Sequence, residues 1–318
     1  MIRRRLLLAS APALFAARAG AAPDSFATFL AGIRDEARRQ GIAYPTIEQA
    51  FAGVQPNQQV IEHYSHQPEF TMTWAQYRAM LVTDKRIQEG QAALDRNRRV
   101  LAEVHHDYGV TPGVIMGIWG LESSFGQKMG DYRVVEALAT LAWYSNRAGF
   151  FRSELIAALK ILNHHDVVPA HMLGSYAGAM GQPQFMPSSY LRYAVDFTGT
   201  GQRNIWTSVP DVLASIANYL EKSGWQRGET WGQPVTVPPG FTTAGRNDRR
   251  PIGEWLRQGI RPIGSLHASP VQNAAVVMPD GSGGDAFLVY GNFAAIRRYN
   301  PSDFYALAVG LIGDGILA

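Results

Sequence analysis

The chain has 318 residues, 46% of them hydrophobic and 17% charged, which is enough apolar side chain to bury the core of one large domain or two smaller ones. It has no cysteine, so disulfides, structural Cys–zinc sites and a lipid-modified N-terminal Cys are excluded. Four of the 29 Lys and Arg (Arg3, Arg4, Arg5 and Arg18) lie in the first 21 residues with no acid among them; the remaining 25 basic and 26 acidic side chains nearly cancel, and nothing argues for a nucleic-acid partner.

The first element in chain order stands apart from the fold. Arg3, Arg4 and Arg5 precede the apolar run LLLASAPALFAA and the small residues Ala19-Gly20-Ala21, the layout of a secretory signal peptide. The run is short for a bilayer core about 30 Å thick. Export with cleavage after Ala21, by the Sec or the twin-arginine route, is therefore expected, rather than a membrane anchor. Asp24 or Ser25 then caps a helix carrying Phe26, Phe29, Leu30 and Ile33, with Gly41 past its end. A longer helix is expected from about Thr83 to Tyr108, with Ile87, Leu94, Leu101 and Val104 as its apolar stripe and Gly109 as its stop. Thr111 as N-cap and Pro112 at the first helical position open the next helix, which carries MGIWGLESSFGQ at residues 116–127.

Further helices are expected at about 133–144, 149–163 and 208–222. The texture then changes. WGQPVTVPPGFTTAG sets alternating Val and Thr among Pro and Gly, and AAVVMPDGSGGDAFLVY places two apolar runs around a Gly/Asp-rich turn, the pattern of a β-hairpin. The C-terminal DFYALAVGLIGDGIL is apolar and helical in pattern. The expected organisation is mainly α (α+β): a signal peptide at 1–21, a helical region at 22–224, a small β-rich subdomain at 225–290 and a C-terminal helical segment at 291–318 packing on the core.

Within 116–127 a lone carboxylate, Glu122, stands among Ile118, Trp119, Leu121 and Phe125. With Gly126 as a left-handed stop, Glu122 falls in the last helical turn, where the dipole disfavours an anion, and its apolar neighbours desolvate it. Both effects raise a carboxyl pKa and suit a general acid. The alternative is a Glu on the solvated face of an amphipathic helix. Ser123 and Ser124 favour the first reading, since their hydroxyls can orient a carboxyl without charging it. A second stretch, SYAGAMGQPQFMPSSY at 175–190, combines small residues with the neutral amides Gln182 and Gln184 and a helix start at Pro187. Amides and aromatic rings suit sugars.

The histidines form adjacent pairs, His105-His106 and His164-His165, and helical neighbours do not share a face. With His171 in HHDVVPAH, they are expected to be ordinary surface or core residues rather than metal ligands.

ESSFG with DYRVVEALATLAW, then GAMGQPQFMPSSY, DFTGTGQRNIW, SIANYL and RRYN, together with the earlier HQPEFTMTW, resemble the lytic murein transglycosylase B family over nearly all of the chain beyond residue 21. The resemblance implies a goose-lysozyme-like helical catalytic core with an added helical part and a small β part. It also implies that Glu122 is the catalytic acid and base, that Gln184 contacts the glycan, and that Tyr219 and Tyr299 line the cleft. Ser123, Met180 and Phe185 are implied to shape the site as substrate-binding residues.

In the family, DFTGTGQRNIW corresponds to an EF-hand-like loop that can hold calcium. Here Asp196, Thr198 and Thr200 occupy positions 1, 3 and 5, and Thr207 stands at position 12 where an EF-hand carries a bidentate Glu, so 196–207 is a degenerate and weak calcium candidate. No other cofactor is expected.

The expected function is that of a monomeric periplasmic enzyme cleaving the MurNAc–β-1,4–GlcNAc bond of peptidoglycan without water to leave 1,6-anhydroMurNAc ends. Its partners are glycan strands and, in such a role, proteins of cell-wall synthesis. The alternatives are a hydrolytic muramidase, for which Asp131 is the nearest second acid in sequence, and a non-catalytic glycan-binding protein.

Overall fold

A computed structural model describes residues 25–65, 72–243 and 245–318. The expected signal peptide and most of HQPEFTMTW lie outside these residues. From the N-terminus the elements are α1 (Phe26–Arg39), α2 (Tyr44–Phe51), α3 (Gln58–Ser65), α4 (Trp74–Leu81), α5 (Asp84–Tyr108) and α6 (Pro112–Ser123). There follow β1 (Tyr132–Arg133), α7 (Val134–Tyr144), α8 (Ala148–Asn163), β2 (Leu173–Gly174), α9 (Pro187–Tyr193) and α10 (Val209–Lys222). The last third holds β3 (Gly232–Thr236), β4 (Arg250–Pro251), α11 (Ile252–Arg257), β5 (Arg261–Pro262), β6 (Asn273–Val277), β7 (Ala286–Val289), α12 (Gly291–Tyr299) and α13 (Asp303–Leu317). No described helix is long and apolar enough to cross a membrane.

The helix ends follow the local chemistry. Ser25 caps α1 and Thr83 caps α5 by accepting the N–H groups of Thr28 and Arg86, and α5 stops at Gly109 in the left-handed conformation. Thr111 has the extended backbone of an N-cap, but its hydroxyl makes no capping bond.

Residues 113–120 of α6 are all buried, which is why its sequence is apolar on every side: it is the central helix, flanked by α5, α10 and α13. Against α13 it packs without intervening side chains. A Cβ on Gly117 would lie 2.4 Å from the carbonyl of Val309, and one on Gly313 would lie 2.5 Å from the carbonyl of Gly113. The antiparallel seam therefore runs Gly113 against Gly313, then Gly117 against Val309, and its register carries the last turn of α6 to the first turn of α13.

The β-rich part is a five-stranded antiparallel sheet in the order β4-β6-β7-β3-β5. The runs at β6 and β7 are continuously apolar because both faces are covered. Ala275, Val277, Phe287 and Val289 join the main helical core, while Ala274, Val276, Ala286 and Leu288 alternate onto a second, smaller cluster with Ile252 and Trp255. The expected C-terminal helical segment is two helices, broken at Asn300–Pro301.

Candidate active site

Glu122 occupies the penultimate position of α6. The helix stops earlier than the expected Gly126: Ser124, Phe125 and Gly126 all have positive φ, at 50°, 58° and 85°. Two left-handed non-glycine residues in succession store strain of about 1–3 kcal/mol each. Here they turn the chain back on itself, so that the Phe125 N–H reaches the Trp119 carbonyl and the Phe125 ring stands edge-on to Trp119 at 5.6 Å. The ring fits because position 120 is Gly, where a Cβ would lie 2.7 Å from it.

The reversal leaves Glu122 at the rim of the core, half-buried and crowded by protein while still reached by solvent. Burial raises its carboxyl pKa from 4.5 to about 7, opposed only by a hydrogen bond that favours the anion. That bond comes from the Tyr305 hydroxyl in the first turn of α13, which donates to Oε1 at 2.6 Å. The Gly seam between α6 and α13 sets the register that brings these two atoms together.

The serines do not have the expected role at the carboxyl. Ser123 is buried, and its Oγ contacts the Trp119 carbonyl at 3.4 Å and accepts from the Gly126 N–H at 3.1 Å, so it braces the chain reversal. Met180 and Phe185 are buried as well and offer a ligand no accessible surface. They form the neck of the 175–190 loop through paired backbone bonds, Met180 N–H to the Phe185 carbonyl and the reverse. These three positions, expected to bind substrate, are instead buried beneath the protein surface.

Between the necks, Gln182 and Gln184 diverge. Gln182 is buried, accepting from the Trp119 indole at 2.8 Å and donating to the Trp206 carbonyl at 2.9 Å, so it ties the loop to α6 rather than facing a sugar. Gln184 is half-buried with φ at 53°, and both of its bonds use the amide nitrogen, to the carbonyls of Met129 and Gly181. Its amide oxygen makes no hydrogen bond among the described residues.

Phe185, Tyr219 and Tyr299 form one aromatic cluster. The Tyr219 and Tyr299 rings are 4.6 Å apart, and each is 5.7 Å from Phe185. The Tyr299 hydroxyl donates to the Pro183 carbonyl at 2.6 Å and so pins the loop tip. Burial, and next the proximity of Glu122, hold the phenols of Tyr299 and Tyr305 well above 10, so both remain protonated. Tyr77 on α4 completes the wall: burial and then Glu122 raise its pKa, and its ring packs 5.7 Å from Phe304.

Tyr77 and Tyr305 are the site residues that sequence reasoning missed. The signal for Tyr305 was an aromatic hydroxyl within an otherwise apolar helix, whereas Tyr77, in the mixed stretch WAQYRAML, gave none. Asp131 is exposed, and no second carboxylate figures among the influences on Glu122. The histidines serve locally: His105 Nδ1 bonds the Val110 carbonyl, and His164 Nδ1 lies 3.2 Å from the Arg203 guanidinium.

A family model described as "Transglycosylase SLT domain" matches residues 25–314. The chain belongs to this family. It is similar to the membrane-bound lytic murein transglycosylase B of Escherichia coli K12, with 37% identity over 250 residues that cover 76% of this chain and 67% of that protein. Among solved structures, SltB3 of Pseudomonas aeruginosa in complex with NAG-anhNAM-pentapeptide matches this SLT transglycosylase at 44% identity and a TM-score of 0.89, covering 93% of this chain and 80% of SltB3. The E. coli lytic transglycosylase Slt35 in complex with calcium matches at 30% identity and a TM-score of 0.77, over 93% of each chain. The architecture is accordingly lysozyme-like.

The 196–207 loop offers calcium a single carboxylate, that of Asp196. A calcium ion takes six to eight oxygens. Asp196 instead accepts from the N–H groups of Thr200 and Gly201 at 3.0 and 2.6 Å. Asp211, fully buried on α10, accepts from Phe197, Thr198 and Asn204 N–H at 3.0 to 3.3 Å. Both carboxylates are directed at the loop's own donors, and the Thr207 hydroxyl at position 12 accepts from Asn204.

Proposed function

We propose that this SLT transglycosylase cleaves the MurNAc–β-1,4–GlcNAc bond of peptidoglycan by a water-free ring closure in which Glu122 is first acid and then base. The observation that carries the reading is a solvent-reached carboxyl with pKa raised to about 7, held by the Tyr305 hydroxyl at 2.6 Å, with no second carboxylate acting on it. Near neutrality such a group can both give and take a proton.

In the proposed sequence, protonated Glu122 donates to the glycosidic oxygen as its bond to the muramoyl C1 breaks, and positive charge develops at C1. The carboxylate then removes the C6 hydroxyl proton, the C6 oxygen bonds to C1, and Glu122 is protonated again. Tyr305 donates to the anion between the two steps, stabilising the form that must act as base. The Gln184 amide oxygen is positioned to accept from a sugar amide or hydroxyl, and the half-buried rings of Tyr219 and Tyr299 to cover apolar sugar faces. The anhydro sugar in the SltB3 complex supports this outcome.

The test is digestion of purified sacculi in ¹⁸O-labelled water. Ring closure yields unlabelled muropeptides one water lighter than those of a muramidase. Labelled reducing MurNAc ends as the main product would sink the proposal in favour of hydrolysis, and release no greater than from Glu122→Gln would leave a glycan-binding protein. The arginine cluster and apolar run support export to the periplasm, where intact mass should show residues 1–21 removed. A full-length, membrane-retained chain would refute that part.

A further inference from the structure

The β-rich part reaches back to the wall of the active site through the tip of its hairpin. Between β6 and β7 the tip carries Asp280 and Asp285, and both engage α4. The two oxygens of Asp280 accept from the N–H groups of Trp74 and Ala75, at 2.6 and 2.9 Å. These are the first two helical positions of α4, whose N–H groups have no partner within the helix and where the dipole favours an anion. Asp285 Oδ2 accepts from the Trp74 indole at 2.8 Å and from Arg78 at 2.8 Å. The latch therefore binds both the backbone start of α4 and its next turn.

α4 needs such a latch. It has eight residues, and most of its surface is exposed. An open cleft of about 530 Å³ runs beside its contact with the hairpin tip, lined by Trp74, Arg78, Asp280 and Asp285 among others. Apolar packing anchors it chiefly through Trp74, which is buried edge-on against Phe287 of β7 and Phe304 of α13, at 5.7 and 5.6 Å. Between these anchors α4 presents Tyr77, whose ring lies against Phe304, the residue before Tyr305. A second tie runs to the same place: Arg246, in the short 3₁₀ turn Gly245–Asn247 of the β-rich part, pairs with Asp303 at the start of α13 at 2.9 Å.

We infer that Asp280 and Asp285 are positioning residues for catalysis: they fix α4 so that Tyr77 closes the solvent side of Glu122, and the β-rich part thereby sets the environment of the catalytic acid. Tyr305 of α13 is hydrogen-bonded to that carboxyl, and the carboxyl's charge acts on Tyr299 of α12 and Tyr77 of α4, with Arg86 of α5 also acting on Tyr77. Release of α4 admits water to Glu122, which lowers a pKa held up by burial. The inference rests on Glu122 as the acid, and its test has one arm independent of that assignment.

The test uses the chain beyond residue 21 with Asp280→Ala/Asp285→Ala, the single Asp→Asn variants, and Tyr77→Ala alone and combined with the double variant. Hydrogen exchange of the α4 amides and the pH profile of kcat/KM on soluble glycan chains are measured. The double Ala variant should lose α4 protection and about tenfold in kcat/KM, in line with the cost of small misplacements. Its alkaline limb should move to lower pH, and it should cost little more once Tyr77 is Ala. Asp280→Asn, whose amide can accept from only one of the two N–H groups and turns a donor on the other, should fall between the wild type and the double variant in both readouts.

A folded double variant with native α4 protection and an unmoved limb overturns the inference, as does full additivity with Tyr77→Ala. If the double variant does not fold, the single variants Asp280→Ala and Asp285→Ala, each of which removes the accepting oxygens at one end of the latch, carry the same readouts and the same refuting result. Undiminished turnover in Glu122→Gln would refute the acid assignment alone, leaving the exchange arm to decide the latch.

Discussion

Replacing Glu122 with Gln tests the acid through stability as well as rate. The amide keeps the shape of the carboxyl, and its oxygen can still accept from Tyr305, so geometry is preserved while the charge is removed. A carboxyl whose pKa is 4.5 in the unfolded chain and about 7 in the folded one penalises the folded state once it ionises. At about 1.4 kcal/mol per pKa unit the penalty is about 3 kcal/mol, nearer 2 once solvent access to the half-buried side chain is allowed for. The sign follows from proton binding. Below pH 4.5 the carboxyl is protonated in both states and no penalty exists; it grows between 4.5 and about 7, where the folded state holds the extra proton, and is complete above. Glu122→Gln should therefore match the wild type in melting temperature at pH 4 and exceed it at pH 8. At about 2 °C per kcal/mol for a chain of this size, the gain is about 4–6 °C. Turnover should fall at least about 10²-fold. Scanning calorimetry of both proteins at the two pH values decides the point: a pH-independent difference would show that burial does not hold the acid protonated, and the proton cycle would lose its basis.

Tyr305→Phe removes the donor that favours the anion, so the Glu122 pKa should rise above about 7 and the alkaline limb of kcat should move up with it; an unmoved limb in a folded variant would detach Tyr305 from the acid. Gly117→Ala puts a Cβ 2.4 Å from the Val309 carbonyl, and because that neighbour is backbone the helices must part, at a cost of about 2 kcal/mol or more; denaturant titration showing a neutral change would mean that the seam is looser than its geometry. Millimolar calcium should raise the melting temperature by less than about 1 °C, whereas Asp211→Asn, which weakens a buried acceptor of three N–H groups, should lower stability by about 1–3 kcal/mol. A calcium-dependent rise of several degrees, lost in Asp196→Ala, would show that the loop reopens to the ion.

Sequence reasoning succeeded where local chemistry determined the outcome. Ser25, one of the two residues read as a cap, caps its helix, the helices expected from about residues 83 and 208 begin there under the caps Thr83 and Ser208, and the hairpin around PDGSGG forms because its flanking runs bury both faces. Glu122 stood out because its neighbours are apolar for a reason visible in the sequence. The misses share a different cause. Which of Gln182 and Gln184 is buried depends on the direction of a loop closed by Met180 and Phe185, which residue type cannot reveal. Tyr305 looked like another apolar position because its hydroxyl finds its partner 183 residues away, across a helix seam whose register is set by close-packed glycines. The left-handed Ser124 and Phe125 were hidden because neither residue type favours that conformation; tertiary packing of Phe125 on Gly120 imposes it.

Under the proposed chemistry, the tyrosines around Glu122 explain why one carboxyl is enough. A two-carboxylate glycosidase divides the work, one group giving a proton while the other attacks or activates water. Here burial keeps the phenols of Tyr77, Tyr299 and Tyr305 protonated, so they act as donors and cannot hold a negative charge near neutrality. Tyr299 directs its proton to Pro183 and Tyr305 to Glu122. The one group in this wall poised to accept a proton near neutrality is the carboxylate that has just released one. A proton leaving the sugar's own hydroxyl therefore goes to the group that protonated the departing oxygen, and the cycle closes with no net change in the enzyme. The same surroundings that raise the acid's pKa also make it the base.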